Sequence, residues 1–164
     1  SFQEFNDYKK ISSKDNIQKH DKELFEKYEE LLSENDFRYV LNNDLSNNWI
    51  KHIYSEQISK YLDLTKNIKG NFINKKIQSA FENFVNQLMA LKSFMGKHFF
   101  VNDAMSGSSP DKWILSLYPD LKNTGDDLKR GRYLKREKEL HELINKIEEA
   151  YNSFRKTIKR TIKI

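Results

Sequence analysis

Between Asn71 and Val101, apolar residues fall at Ile73, Ile77, Ala80, Phe84, Leu88, Leu91 and Met95. Gaps of three and four keep side chains on one side of a helix with 3.6 residues per turn. A second stripe, Phe81, Val85, Met89 and Phe94, runs beside the first. A face this wide needs more than one partner. The stretch therefore predicts a central helix on which several others pack.

The same period predicts three further long helices. From Asp15 to Ser33 the apolar positions are Ile17, Leu24, Tyr28 and Leu31, flanked by Phe25 and Leu32. From Trp49 to about Asn67 they are Ile50, Ile53, Tyr54, Ile58, Tyr61, Leu62 and Leu64. Asn47 or Asn48 stands where a cap for that helix belongs. From near Asp126 to the C-terminus they are Leu140, Ile144, Ile147, Tyr151, Phe154, Ile158 and Ile162, a near-heptad spacing suited to antiparallel packing. Phe84, Leu88, Leu91, Ile147, Tyr151 and Phe154 are then expected to be buried together. Lys69-Gly70-Asn71 reads as a tight reversal, with Gly70 at positive φ ending one helix and Asn71 capping the next.

Shorter pieces fill the gaps. A short helix is expected over Asp36–Leu41, followed by a polar break. Residues 102–125 read as a loop holding one short helix, WILSLY, opened by Ser109-Pro110-Asp111. Thr124 and Asp127 resemble a capping box for the last helix. Residues 1–13 are weakly periodic and read as a flexible arm or a short helix. The expected fold is all-α: one domain over residues 1–164, an up-down antiparallel bundle of about four long helices plus short connecting helices.

Composition sharpens this. With 5 Gly and 2 Pro in 164 residues there are few turns, so few and long elements and no sheet are expected. Aromatics at 13% argue against disorder. The absence of cysteine excludes disulfides and thiolate metal sites and fits a cytoplasmic location. No run approaches the ~18 apolar residues of a membrane span. The net charge is +5, and between Lys129 and Ile164 there are 12 Lys and Arg against 5 Glu. The excess is therefore local to the last helix. Arg155, Lys156, Lys159, Arg160 and Lys163 are placed opposite Phe154, Ile158 and Ile162, where they could neutralise nucleic-acid phosphates by counterion release or lie on an anionic membrane surface. Cations at a helix C-terminus also complement the macrodipole without any ligand.

The sequence GKHFFV, the following WILSLYPDLK and the basic YNSFRKTIKR, within residues 48–164, resemble all-helical bacterial proteins. That resemblance implies a helical fold and a bacterial origin but no activity. Arg136-Glu-Lys-Glu-Leu-His141 resembles the Arg-and-His motif of HEPN ribonucleases. The resemblance implies Arg136 holding a phosphate and His141 moving a proton, in a cleft between two protomers. Glu137 and Glu139 depart from the motif and would repel RNA. The plainer reading is a solvated helix face with pairs such as Glu137–His141. His20, His52, His98 and His141 stand in no metal-ligand spacing, so no metal and no cofactor are expected. His98 is expected to be a helix-end residue bonded to a carbonyl. Three functions are thus carried, in order: a protein-interaction or regulatory module that binds another protein or itself, without enzymatic activity; a nucleic-acid binder through the C-terminal helix; and a HEPN-like ribonuclease.

Overall fold

The computed structural model of the chain describes residues 1–163, with the side chains of residues 7–12 excepted. Helix α1, Phe2–Leu31, opens on a capping box in which the Ser1 hydroxyl accepts from the Glu4 N–H while the Glu4 side chain returns to the N-terminus. No Gly or Pro interrupts this helix, so the expected arm and the expected helix from residue 15 are one element. Burial sets in at Ile17, and Leu24, Phe25, Tyr28 and Leu32 reach the core. Leu32 is extended, and Ser33 begins a new helix rather than ending the first. Its hydroxyl accepts from the Asp36 N–H, capping α2, Glu34–Tyr39. A π turn over Val40–Asp44 and a 3-10 turn over Leu45–Asn47 carry the chain on where a polar break was expected.

The main departure from the all-helical expectation is a three-stranded antiparallel sheet. Strands β1 (Trp49–Lys51), β2 (Phe99–Val101) and β3 (Ile114–Leu117) lie in the order β1-β3-β2. Ile50 and Val101 both face Leu115 in register, and Trp49 and Phe100 both face Ser116. WILSLY is thus not a helix. Pro110 and Pro119 leave room for no more than about two helical turns, and both edges of the strand find aromatic and β-branched partners. Asn48 does not cap a helix either. It sits in the left-handed region at φ 66°, turning the chain into β1.

Helix α3 comes immediately after, His52–Thr65, burying Ile58, Tyr61 and Leu62 but leaving Ile53 exposed. Gly70 is buried in a 3-10 turn and its φ is not positive. Glycine is required there for space: a Cβ would stand 2.1 Å from the Leu64 carbonyl oxygen and 2.8 Å from the Tyr28 hydroxyl. The cap of α4, Lys75–His98, is Asn74 rather than Asn71, its side chain accepting from the N–H groups of Lys76 and Ile77. Ile73 lies before the helix, half exposed. Helix α5, Asp127–Thr161, is capped by Asp126, which accepts from Leu128 and Lys129. Thr124 accepts from Asp126 instead of forming the expected box.

Helices α4 and α5 run antiparallel, Phe84 beside Phe154 and Tyr151, with ring centroids 6.0 and 5.0 Å apart. Phe84, Leu88, Leu91, Ile147, Tyr151 and Phe154 are all buried, as the stripes predict. Tyr28 from α1, Phe37 from α2 and Tyr61 from α3 add their rings to Phe81, Phe84 and Tyr151. The core is therefore an aromatic layer between helices. The sheet lies at the end where α4 finishes, since β2 continues that helix.

Candidate anion-binding surfaces

The five candidate cations at and just past the end of α5 part company. Arg155 is buried. Its guanidinium reaches Glu29 at 2.5 Å and Glu34 at 2.6 Å and lies over the Phe25 ring. This corrects its placement on the solvent face: Arg155 joins α1 and α2 to α5 and is unavailable to a ligand. Burial opposes ionisation of Glu34, but the Arg38 hydrogen bond and the charges of Arg155, Arg38 and Lys159 together hold its carboxyl below the usual range. Lys159 therefore faces the α2 side. Lys156, Arg160 and Lys163 are exposed.

Arg160 has company that the last helix alone does not reveal. The buried carboxylate of Asp21 accepts from the Ile73 and Asn74 N–H groups at 2.8 and 2.9 Å, fixing the start of α4 against α1. Antiparallel pairing brings the end of α5 to the same place. Two adjoining hollows result, of about 890 and 670 Å³, both lined by Lys75, Lys76, Arg160 and Thr161. Lys14 closes one side, and Ser79, Asn83, Ser153 and Thr157 continue the other. Among the described residues, no acidic side chain lines either hollow. Sequence reading missed Lys14, Lys75 and Lys76. Their signal was the adjacent lysine pair after a capping Asn, but the convergence with Arg160 is tertiary.

Arg136 and His141 are directed apart. One Arg136 nitrogen, Nη1, holds both Glu139 oxygens at 2.9 and 3.1 Å, and the residue lines a pocket with Tyr118, Leu121, Arg132 and Lys135. His141 instead lines a hollow with Leu41, Asn42 and Ser46. Its Nε2 donates to the Asn48 Oδ1 at 2.9 Å, while the Asn48 amide donates to Glu137 and, at 3.1 Å, to the Tyr133 hydroxyl. The expected Glu137–His141 pair is thus bridged by Asn48. Within this protomer the Arg and His do not converge on one phosphate.

His98 is also not bonded to a carbonyl. Its Nδ1 shares a 2.6 Å hydrogen bond with the Tyr118 hydroxyl. Burial, then the charge of Arg136, hold its pKa below the ordinary value, so the ring is neutral at pH 7. Among the described residues no group of His, Asp and Glu could hold a metal ion, and no helix is long and apolar enough to cross a membrane.

The fold and surface define a mainly helical protein with a small antiparallel sheet and a cationic groove at the opposite end of α4. No protein-family model, curated protein or solved structure matches the chain.

Proposed function

We propose that this protein is a non-catalytic nucleic-acid-binding module that grips the phosphate backbone in the groove formed by α1, α4 and α5. The observation that supports this reading is the meeting of Lys14, Lys75, Lys76 and Arg160 with no acidic side chain among the described lining residues. Such a surface releases condensed counterions on binding, and the hydroxyl and amide groups beside it suit phosphate and sugar contacts. The exposed Lys156 and Lys163 extend the basic surface along α5. Arg155 takes no part. The test is fluorescence anisotropy with a labelled 20-mer, single-stranded and duplex, across a salt series. The expected result is an affinity that falls with salt, and a slope reduced by about three in the Lys75→Gln, Lys76→Gln, Arg160→Gln variant. Equal affinity and slope in that variant would overturn the groove as the site. Deleting residues 155–164 is the wrong test, because Ile158 and Ile162 belong to the core.

A second reading, a protein-interaction module, rests on the start of α1, where residues 1–6 are exposed and Phe2 is 81% accessible. Light-scattering mass in solution checks self-association by this segment: a dimer that reverts to monomer on Phe2→Ser supports it, and a monomer throughout removes that form of it.

A further inference from the structure

The pocket at the other end of α5 has a composition of its own. It occupies about 410 Å³ and is lined by Tyr118, Leu121, Arg132, Lys135 and Arg136. Ligand pockets of small organic molecules begin at about 300 Å³. Three of its five lining residues are cations. Arg132 and Lys135 are exposed and pair with no carboxylate among the described residues. Arg136 is half-buried, and Glu139 fixes its guanidinium through Nη1 alone, leaving the Nε and Nη2 donors. One carboxylate against three cations leaves an excess suited to a phosphate dianion.

Tyr118 gives the pocket its second character. It is one of two non-glycine residues with positive φ among the described residues, at 34°. Such a conformation is costly and persists only when its surroundings impose it. Here they do. The Tyr118 N–H donates to the His98 carbonyl at 3.1 Å, its own carbonyl accepts from Leu121 at 2.9 Å, and its hydroxyl bonds His98. Its ring packs at a tilt against those of His98 and Phe100, with centroids 5.5 and 5.6 Å away. A rigid aromatic ring thus lines a cavity whose other walls are cationic, and Phe100 is half exposed beside it. Phosphate alone has no use for the ring, and an apolar ligand has no use for the cations. Both are used by a planar heterocycle bearing a phosphate.

We propose that this pocket binds a phosphorylated nucleoside, the base against Tyr118 and the phosphate on Arg132, Lys135 and Arg136. The site is independent of the groove, which lies near the other end of α5. The ligand is a free nucleotide or the 5′-phosphorylated end of a strand, and competition separates these two sources.

Calorimetric titration of the whole chain with ATP, tripolyphosphate and adenosine tests the site. ATP is expected to bind at least tenfold more tightly than tripolyphosphate, and adenosine more weakly than either. Arg132→Gln with Lys135→Gln should weaken ATP at least tenfold and leave the melting temperature unchanged, both side chains being exposed. Tyr118→Gly relieves the backbone strain and so keeps the turn. It should reduce ATP affinity towards that of tripolyphosphate without changing the latter. The groove variant Lys75→Gln, Lys76→Gln, Arg160→Gln should bind ATP as the native chain does. Displacement of ATP by 5′-phosphorylated oligothymidylate, but not by its unphosphorylated form, assigns the strand end; displacement by neither assigns the free nucleotide. Equal binding of ATP and tripolyphosphate, ATP binding insensitive to the Arg132 and Lys135 substitutions, or no ATP binding at millimolar concentration would overturn the proposal.

Discussion

Asn48 combines a left-handed backbone with three side-chain partners, Tyr133, Glu137 and His141, and substitution separates the two demands. Asn48→Gly keeps the conformation and loses the hydrogen bonds. Asn48→Ala loses both, so it should be the less stable by about 1 kcal/mol in chemical denaturation. Equal stabilities would show that φ there carries no cost. Arg155 offers a second test, because it is buried against Glu29 and Glu34. The folded pKa of Glu34 lies below its ordinary value of 4.5. Its contribution to stability is therefore complete above that value and lost as pH falls through the folded pKa. Arg155→Met should cost on the order of 3 kcal/mol at pH 7, the usual range for breaking a buried pair. The gap from the native chain should narrow on acidification below pH 4.5; a gap independent of pH would place the cost in packing alone.

At the scale of elements, periodicity succeeds where an element is long enough to repeat. Helix α4 has eight buried residues in 24 positions, at spacings that no strand could produce. The strands have three or four residues each, too few for alternation to stand out. Ile114-Leu-Ser-Leu117 fits one helical turn as well as it fits a strand, and what decides is pairing with residues far away in sequence. Glycine counting failed for a related reason: Asn48 makes the sharp turn. The candidate sites divide the same way. Exposure of Lys156, Arg160 and Lys163 follows from the α5 face, whereas Arg155 is withdrawn by carboxylates on α1 and α2. Lys14, Lys75 and Lys76 join Arg160 only through the antiparallel arrangement of α4 and α5. The central strand supplies the element's prediction. The Leu117 N–H donates to the Asn48 carbonyl at 2.9 Å, and the Leu117 side chain is buried. Leu117→Pro removes that bond in mid-sheet and should cost about 3 kcal/mol or more, seen as a lowered melting temperature. An unchanged melting temperature would mean that the sheet adds nothing to the cooperative unit.

Over the whole molecule, two cationic surfaces lie near opposite ends of one helix. From Arg136 to Arg160 there are 24 residues of α5, which at 1.5 Å per residue is about 36 Å. A ligand in the pocket and a strand in the groove would not touch. Coupling between a free nucleotide in the pocket and a strand in the groove must pass through the helix and the aromatic layer against it. The sheet adds a constraint on the order of events during synthesis. Its two outer strands, separated by α3 and α4, both precede the strand between them. Until Ile114–Leu117 is available, neither β1 nor β2 has its partner, and each carries an unsatisfied edge. The helix that completes the aromatic layer is later still. The growing chain must therefore hold bare strand edges until β3 is made and uncovered rings until α5 is made, and the span from α1 to α4 is the part with most to gain from a chaperone.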